Sequence, residues 1–157
     1  MSKNDYNAAI ATLQVKGKTD NLATELHVRT HSFFTDEPEE LGGEDKSANP
    51  LEYCLGALLG CMNVIIRMVA NELQVKIKDI NLEAAGTFDE RGLKGTKDVR
   101  PYFEDINITV SIDSPDAAAK KDELIQLTEA RCPMYTMLQA ANVTFNNNWE
   151  FKNSGGK

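Results

Sequence analysis

One long apolar segment constrains the fold of this chain more than any other feature. It begins at Asn49-Pro50 and runs to about Leu73. Asn49 is a good helix N-cap, Pro50 suits the first helical position, and Glu52 follows three residues after the cap. Apolar residues occupy nearly every face of this predicted helix. A helix of this kind needs neighbours on several sides, so we expect it to be the buried central helix of the fold.

On either side of this helix, apolar residues either alternate with polar ones, as in strands, or recur at helical spacing. Together these segments predict an α+β fold. The predicted strands cover residues 8–17, 22–30, 31–35, 75–88, 103–112 and 143–151, and the shorter helices cover 114–131 and 133–141. A hairpin turn is predicted at Lys18–Asn21. The chain contains no internal repeat and no long linker. We therefore predict a single domain over residues 1–157, with a core of about 8–151 and a mobile tail at 152–157.

Composition argues against several classes of partner. The formal net charge of −7 disfavours nucleic acid, because phosphate binding needs clustered Lys and Arg. The longest uncharged apolar run, Tyr53–Ile66, is shorter than the ~18 residues of a membrane span. No apolar stretch of signal-peptide length lies at the N-terminus. We expect a cytoplasmic protein with no membrane partner, no metal and no cofactor.

Two cysteines are the candidate reactive groups. Cys61 lies inside the apolar helix, where no nearby charge activates it, and a simple core cysteine is the alternative interpretation. Cys132 precedes Pro133 at a predicted helix start, where the helix dipole favours a thiolate. A poorly reactive capping thiol is the alternative there. Cys54 lies seven residues before Cys61, ~10 Å along the helix, which is too far for a disulfide, so we expect it to serve packing.

Two further features of the long helix bear on its surroundings. Glu52 can orient a polar group near Cys61 or can simply cap the helix. Gly56 and Gly60 are one turn apart and allow another backbone to approach closely. Because the same helix of a second copy can supply that backbone, the sequence predicts a homodimer.

Several short segments together resemble the OsmC/Ohr family of thiol-dependent hydroperoxide reductases. They are Asp36-Glu37-Pro38, Leu41–Asp45, Asn49–Glu52, Cys61 eleven residues after Pro50, and Cys132-Pro133. The resemblance implies an intertwined homodimer of antiparallel strands and a long central helix, with active sites at the subunit interface. It also implies that Cys61 reduces a small organic hydroperoxide and becomes a sulfenic acid. Cys132 would then close a disulfide, which a dithiol reductant reopens.

The chain departs from the best-defined peroxidase subgroup at two positions. Leu51 stands where that subgroup carries a glutamate, and Glu52 is rotated from it by about 100° around the helix. The segment 8–21, where the activating arginine usually lies, contains no arginine. We therefore take Arg29 and Glu52 as the candidate activating or orienting residues. The alternative function is a non-catalytic or redox-responsive dimer that binds a small apolar molecule at the subunit interface.

Overall fold

The computed structural model describes residues 10–154 and divides the chain into two compact units. The first unit extends to Tyr53 and the second begins at Cys54. The long helix, α1 (Pro50–Glu72), begins in the first unit and continues through the second. Its bounds match the predicted helix closely, so the sequence signals at Asn49 and Pro50 located its start correctly.

The first unit contains an antiparallel sheet of three strands. These are β1 (Lys16–Asp20), β2 (Ala23–Val28) and β3 (His31–Thr35), paired in the order β1-β2-β3. The prediction for β3 is confirmed. The predicted turn at Lys18–Asn21 is wrong, because β1 pairs with β2 as far as Asp20 and the turn is Asn21-Leu22. Asn21 has a φ of 53°, a left-handed conformation that asparagine tolerates better than most residues.

The predicted first strand, 8–17, is wrong over most of its described length. Residues 10–15 form no strand, whereas positions 8 and 9 lie outside the described residues. The apolar side chains of Ile10, Leu13 and Val15 are exposed, Leu13 to 92%. No strand in the described part of the chain pairs with this segment, and a strand needs a hydrogen-bonded neighbour to persist.

The acidic loop after β3 is organised by one buried carboxylate. Asp36 accepts backbone N–H groups from Glu37 (2.9 Å), Glu44 (3.1 Å) and Lys46 (3.2 Å). Gly43 approaches the same turn so closely that a Cβ atom there would lie 1.8 Å from the carbonyl oxygen of Glu37. The Asp-Glu-Pro and Leu-Gly-Gly-Glu-Asp segments therefore fix the backbone of the loop.

Helix α1 begins with a reciprocal capping box. The Asn49 side chain accepts the N–H of Glu52 at 2.9 Å, and the Glu52 carboxylate accepts the N–H of Asn49 at 2.8 Å. Together they satisfy two of the N–H groups that a helix start leaves without partners.

Within the second unit, α1 has one buried and one exposed apolar row. The buried row is Leu58, Met62, Ile66 and Val69. The exposed row, which we call the glycine row, is Gly56, Gly60, Val64 and Met68. Val64 is 54% and Met68 48% exposed, so the described residues alone do not cover this face of the helix. By length and composition alone α1 is also apolar enough to cross a membrane, a test that the core helices of soluble proteins pass as well.

The sheet of the second unit is mixed. Strands β4 (Asp79–Thr87) and β5 (Asp105–Asp113) are antiparallel, and β6 (Thr144–Lys152) lies parallel to β5. The inward side chains of β5 are fully or almost fully buried and form the apolar core with the buried row of α1: Ile106, Ile108, Val110 and Ile112. The predicted α+β class is confirmed. The segment between β4 and β5 contains one short helix, α2 (Glu90–Leu93).

A helical crossover joins the parallel strands β5 and β6. It consists of a 3-10 helix (Ala117–Lys120), α3 (Lys121–Arg131) and α4 (Pro133–Ala140). A parallel pair needs such a long connection, because a tight turn can join only antiparallel neighbours. Of the tail predicted to be mobile at 152–157, Lys152 ends β6 and Ser154 donates hydrogen bonds to Asp113, and the mobility itself stays a prediction. Residues 155–157 lie outside the described residues.

Candidate functional site

Cys132 lies at the sharp corner between α3 and α4. Its N–H donates to the carbonyl oxygen of Thr128 at 3.0 Å and closes the end of α3. The next residue, Pro133, begins α4. Arg131, directly before the cysteine, forms a two-pronged ion pair with Glu72 at the end of α1, with N–O distances of 2.5 and 3.0 Å. The corner that carries Cys132 is thereby connected to the helix that carries Cys61.

The fold brings the two predicted thiols together. Cys61 is half-buried on α1, whereas Cys132 is fully buried. Their side chains interact through a hydrogen bond and through mutual electrostatic influence. Both are free thiols. The structure therefore juxtaposes an accessible thiol with a second thiol that solvent does not reach.

Burial decides the acid–base behaviour of Cys132. Burial, together with the smaller effect of the hydrogen bond with Cys61, raises its pKa to about 11. The amides of Tyr135 and Met134 at the start of α4 lower the pKa only in part, and the sulfur makes no regular capping hydrogen bond. The expectation that the helix dipole favours a Cys132 thiolate is thus wrong. A Cys132 thiol that keeps its proton can instead donate it to the sulfur of Cys61.

Cys54 differs from the other two cysteines. Burial raises the pKa of its thiol, and no charged group opposes that effect. Seven helical residues separate it from Cys61, which corresponds to ~10 Å. An intact α1 therefore excludes a disulfide between them.

The two candidate activating residues, Arg29 and Glu52, both belong to the first unit. Arg29 is exposed in the two-residue turn between β2 and β3, with a left-handed φ of 55°. Glu52 uses one carboxylate oxygen in the capping box with Asn49. The capping alternative for Glu52 is therefore confirmed, and a role for either residue toward Cys61 stays a prediction.

The sequence analysis missed a group of polar side chains near Cys132, which we call the polar cluster: Tyr135, which is buried, and the half-buried Glu129 and Asn147. The Asn147 amide nitrogen donates to the Glu129 carboxylate and to the Tyr135 hydroxyl, both at 2.8 Å. Asn147 occupies an inward position of β6, between Phe145 and Trp149. An asparagine where the alternation of a strand demands an apolar residue was the signal that could have revealed the cluster.

Comparisons with known proteins agree on one family. The family described as OsmC-like protein matches residues 43–147, which is more than half of the chain. No curated protein matches the sequence.

Solved structures share the fold at low sequence identity. An OsmC-like protein from Mycoplasma pneumoniae is 18% identical, with a TM-score of 0.75 and coverage of 90% of this chain and 98% of that one. An organic hydroperoxide resistance protein OsmC from Legionella pneumophila is 17% identical, with a TM-score of 0.70 and coverage of 90% and 98%. The organic hydroperoxide resistance protein OhrB of Bacillus subtilis is 19% identical, with a TM-score of 0.59 and coverage of 90% and 100%. The family match over the region that carries both thiols, together with this fold, shows that the chain belongs to the OsmC-like protein family.

Proposed function

We propose that this protein reduces small organic hydroperoxides at the expense of a dithiol, with Cys61 as the nucleophile and Cys132 as the resolving thiol. The contact between the accessible Cys61 thiol and the buried, protonated Cys132 thiol carries this proposal. Membership of a family with hydroperoxide resistance proteins among its structural neighbours supports the choice of substrate.

The reaction follows from the chemistry of the two sulfurs. The Cys61 thiolate attacks the terminal oxygen of the hydroperoxide, so an S–O bond forms, the O–O bond breaks, and the alkoxide leaves as an alcohol after taking a proton. Cys61 is now a sulfenic acid. The Cys132 sulfur attacks it, the S–S bond forms, and the sulfenic oxygen departs as water with the Cys132 proton. An external dithiol then supplies two electrons and restores both thiols.

Arg29 and Glu52 are the residues that we propose as activating or orienting groups for Cys61. A guanidinium near the sulfur would favour its thiolate through charge attraction. Arg29→Gln should then slow the alkylation of Cys61 at neutral pH, whereas Glu52→Gln, which keeps a capping oxygen, should leave it nearly unchanged. An unaltered alkylation profile in Arg29→Gln would eliminate this role.

We further propose that the protein acts as a homodimer in which the glycine row of α1 meets the same row of a second copy. The exposure of Val64 and Met68 supports this arrangement, because apolar side chains along one helix face favour a covering partner. The exposed apolar segment 10–15 offers a second surface for the partner. An apolar site of this kind would favour organic hydroperoxides over hydrogen peroxide.

Mixing the pure protein with an organic hydroperoxide and a dithiol tests the function. We expect consumption of the peroxide and, after one equivalent without dithiol, a Cys61–Cys132 disulfide in peptide maps with Cys54 still free. Cys132→Ser should accumulate a sulfenic acid on Cys61, and Cys61→Ser should abolish consumption. A Cys61→Ser protein that consumes peroxide at the normal rate would show that the nucleophile is assigned wrongly.

A redox-responsive dimer without peroxidase activity is the second candidate function. Leu51 favours it, because the position lacks the carboxylate that the peroxidase subgroup carries there. A protein that closes the same disulfide in a glutathione buffer but leaves organic hydroperoxides unreduced would support this candidate.

A further inference from the structure

The polar cluster joins three elements around the corner that carries Cys132. Glu129 belongs to α3, Tyr135 to α4 and Asn147 to β6. A single amide nitrogen, that of Asn147, connects the other two side chains through hydrogen bonds of 2.8 Å each. The indole N–H of Trp149 adds a longer bond of 3.3 Å to the same oxygen of Glu129. The carboxylate is therefore held by two donors on the inward face of β6.

Stability alone does not explain an asparagine at this position. The Asn147 carbonyl oxygen is buried and has no hydrogen-bond partner. Leaving a buried acceptor unpaired costs free energy, and an apolar residue of similar size would avoid that cost. The hydroxyl of Thr128, four residues before Cys132, is buried without a partner as well. Two buried polar atoms that lack partners among the described residues, those of Thr128 and Asn147, thus belong to elements of this corner or next to it.

Tyr135 is the member of the polar cluster that contacts Cys132. It lies three residues after the cysteine, in the first turn of α4. Its ring stacks on Phe145 with centroids 4.1 Å apart and an interplanar angle of 24°. Its backbone amide faces the Cys132 sulfur. The Tyr135 side chain is held at its ring by Phe145 and at its hydroxyl by Asn147. Such a side chain restrains the direction of its own backbone amide and therefore the first turn of α4.

We propose that Asn147, anchored by Glu129, is a positioning residue that holds Tyr135 and the first turn of α4 so that the Cys132 sulfur stays against Cys61. This inference rests on the proposed function in one respect: it takes the Cys61–Cys132 disulfide as a step of the hydroperoxide reduction cycle. Its physical effect is a high effective concentration of one thiol at the other. Small displacements of reacting groups cost large factors in such intramolecular steps.

The test measures the effective concentration of the two thiols in a buffer of reduced and oxidised glutathione. Oxidised glutathione takes two electrons from Cys61 and Cys132, their S–S bond forms, and two molecules of reduced glutathione leave with the two protons. Asn147→Leu keeps the approximate size of the side chain and removes its amide. We expect the equilibrium constant for disulfide formation to fall roughly tenfold to a hundredfold in this variant.

A second variant and a control separate positioning from a general loss of structure. Tyr135→Phe keeps the ring that stacks on Phe145 and loses only the hydroxyl, so we expect a fall in the same direction. Asn146→Leu is the matched control, because Asn146 is the neighbouring asparagine on the outward face of β6 and bonds only Asn107 among the described hydrogen bonds. It should leave the constant unchanged. Thermal melting of each variant shows whether the fold is retained.

The possible results either support the inference or overturn it. A lower constant in Asn147→Leu and Tyr135→Phe, with melting temperatures equal to or above that of the parent protein, supports positioning. An unchanged constant in Asn147→Leu, or a decrease that only follows a loss of melting temperature, overturns it. The assay contains no peroxide. A protein that shows the expected variant effects but consumes no hydroperoxide would refute the proposed function and leave this inference intact.

Discussion

At the scale of single residues, burial distinguishes the two thiols more strongly than their helical positions do. Cys132 has the favourable place at the start of α4, yet its full burial raises its pKa to about 11. Cys61 lies in an apolar helix but is accessible. Since a thiolate needs both ionisation and access to react with an external reagent, these environments support the proposal that Cys61 performs the external step and Cys132 the internal one.

The order of alkylation tests this assignment. With iodoacetamide at pH 8, a thiol of pKa about 11 is ionised in only about one molecule in a thousand. We therefore expect Cys61 to be labelled well before Cys132 in the native protein, as measured by peptide mass spectrometry over time. In denaturant the two should react at similar rates. Native labelling of Cys132 as fast as that of Cys61 would contradict the assignment.

The sequence singled out the two cysteines that the fold brings together, but it did not predict how their surroundings act on them. The pairing of Cys61 with Cys132 followed from the resemblance, since 71 positions separate them along the chain. The burial of Cys132 depends on segments distant in sequence, so a local helix-dipole argument missed it. Asn147 escaped notice because its partners, Glu129 and Tyr135, lie on other elements.

The contact between Asp89 and Arg91 makes part of the protein's stability depend on pH in the acid range. Its carboxylate accepts the side-chain and backbone N–H groups of Arg91, which hold its pKa at about 2, below the ordinary 3.8. Because the folded pKa is the lower one, the contribution to stability is full above pH 3.8 and is lost as the pH falls toward 2.

Replacing the Asp89 carboxylate should reduce the change of the unfolding free energy with pH. Asp89→Asn keeps an oxygen that can cap α2 but carries no charge. We expect the difference in unfolding free energy between the parent protein and the variant to shrink between about pH 4 and pH 2, as measured by urea midpoints at several pH values. The other carboxyls titrate in both proteins and cancel in the difference. A difference that stays constant over this range would refute the linkage.

At the scale of elements, the start of α1 was predictable because its signals are local. The capping residues Asn49 and Glu52 act within one turn, and the structure contains both of their hydrogen bonds. Asn49→Ala should lower the unfolding free energy by about 1 kcal/mol, the usual cost of a lost N-cap. Glu52→Gln should cost less, because its amide oxygen can accept the same N–H. Equal losses in the two variants, measured by urea denaturation, would contradict the capping box.

Strand pairing was less predictable than the strands themselves. The alternation in β5 and β6 indicated two half-buried strands, and both formed within a few residues of the predicted bounds. Their parallel pairing depends on the crossover through α3 and α4, because it returns the chain to the same end of the sheet from which β5 began. Alternation alone carries no information about direction, and the residues that pair, such as Ile106 and Phe145, are far apart in sequence.

At the scale of the whole molecule, the glycine row of α1 is the surface that most needs explanation. A Cβ atom added at Gly56 or Gly60 would meet nothing within 4 Å in the single chain. Neither glycine is therefore required by packing inside the chain, although glycine within a helix costs about 1 kcal/mol relative to alanine. The proposed approach by the helix of a second copy would account for both residues and for the exposed Val64 and Met68.

Substitutions at Gly60 test whether the glycine row of α1 is covered by a second copy or exposed to solvent. If solvent covers this face, Gly60→Ala should raise the unfolding free energy by about 0.5–1 kcal/mol through helix propensity alone. If a second copy covers it, Gly60→Leu should overpack the contact, cost about 1–3 kcal/mol and shift the protein toward monomer in sedimentation at micromolar concentration. Gln126→Leu, on an exposed position of α3, controls for an added apolar side chain and should leave the dimer intact. We expect the second pattern, and a parent protein that sediments as a stable monomer would rule out the dimer.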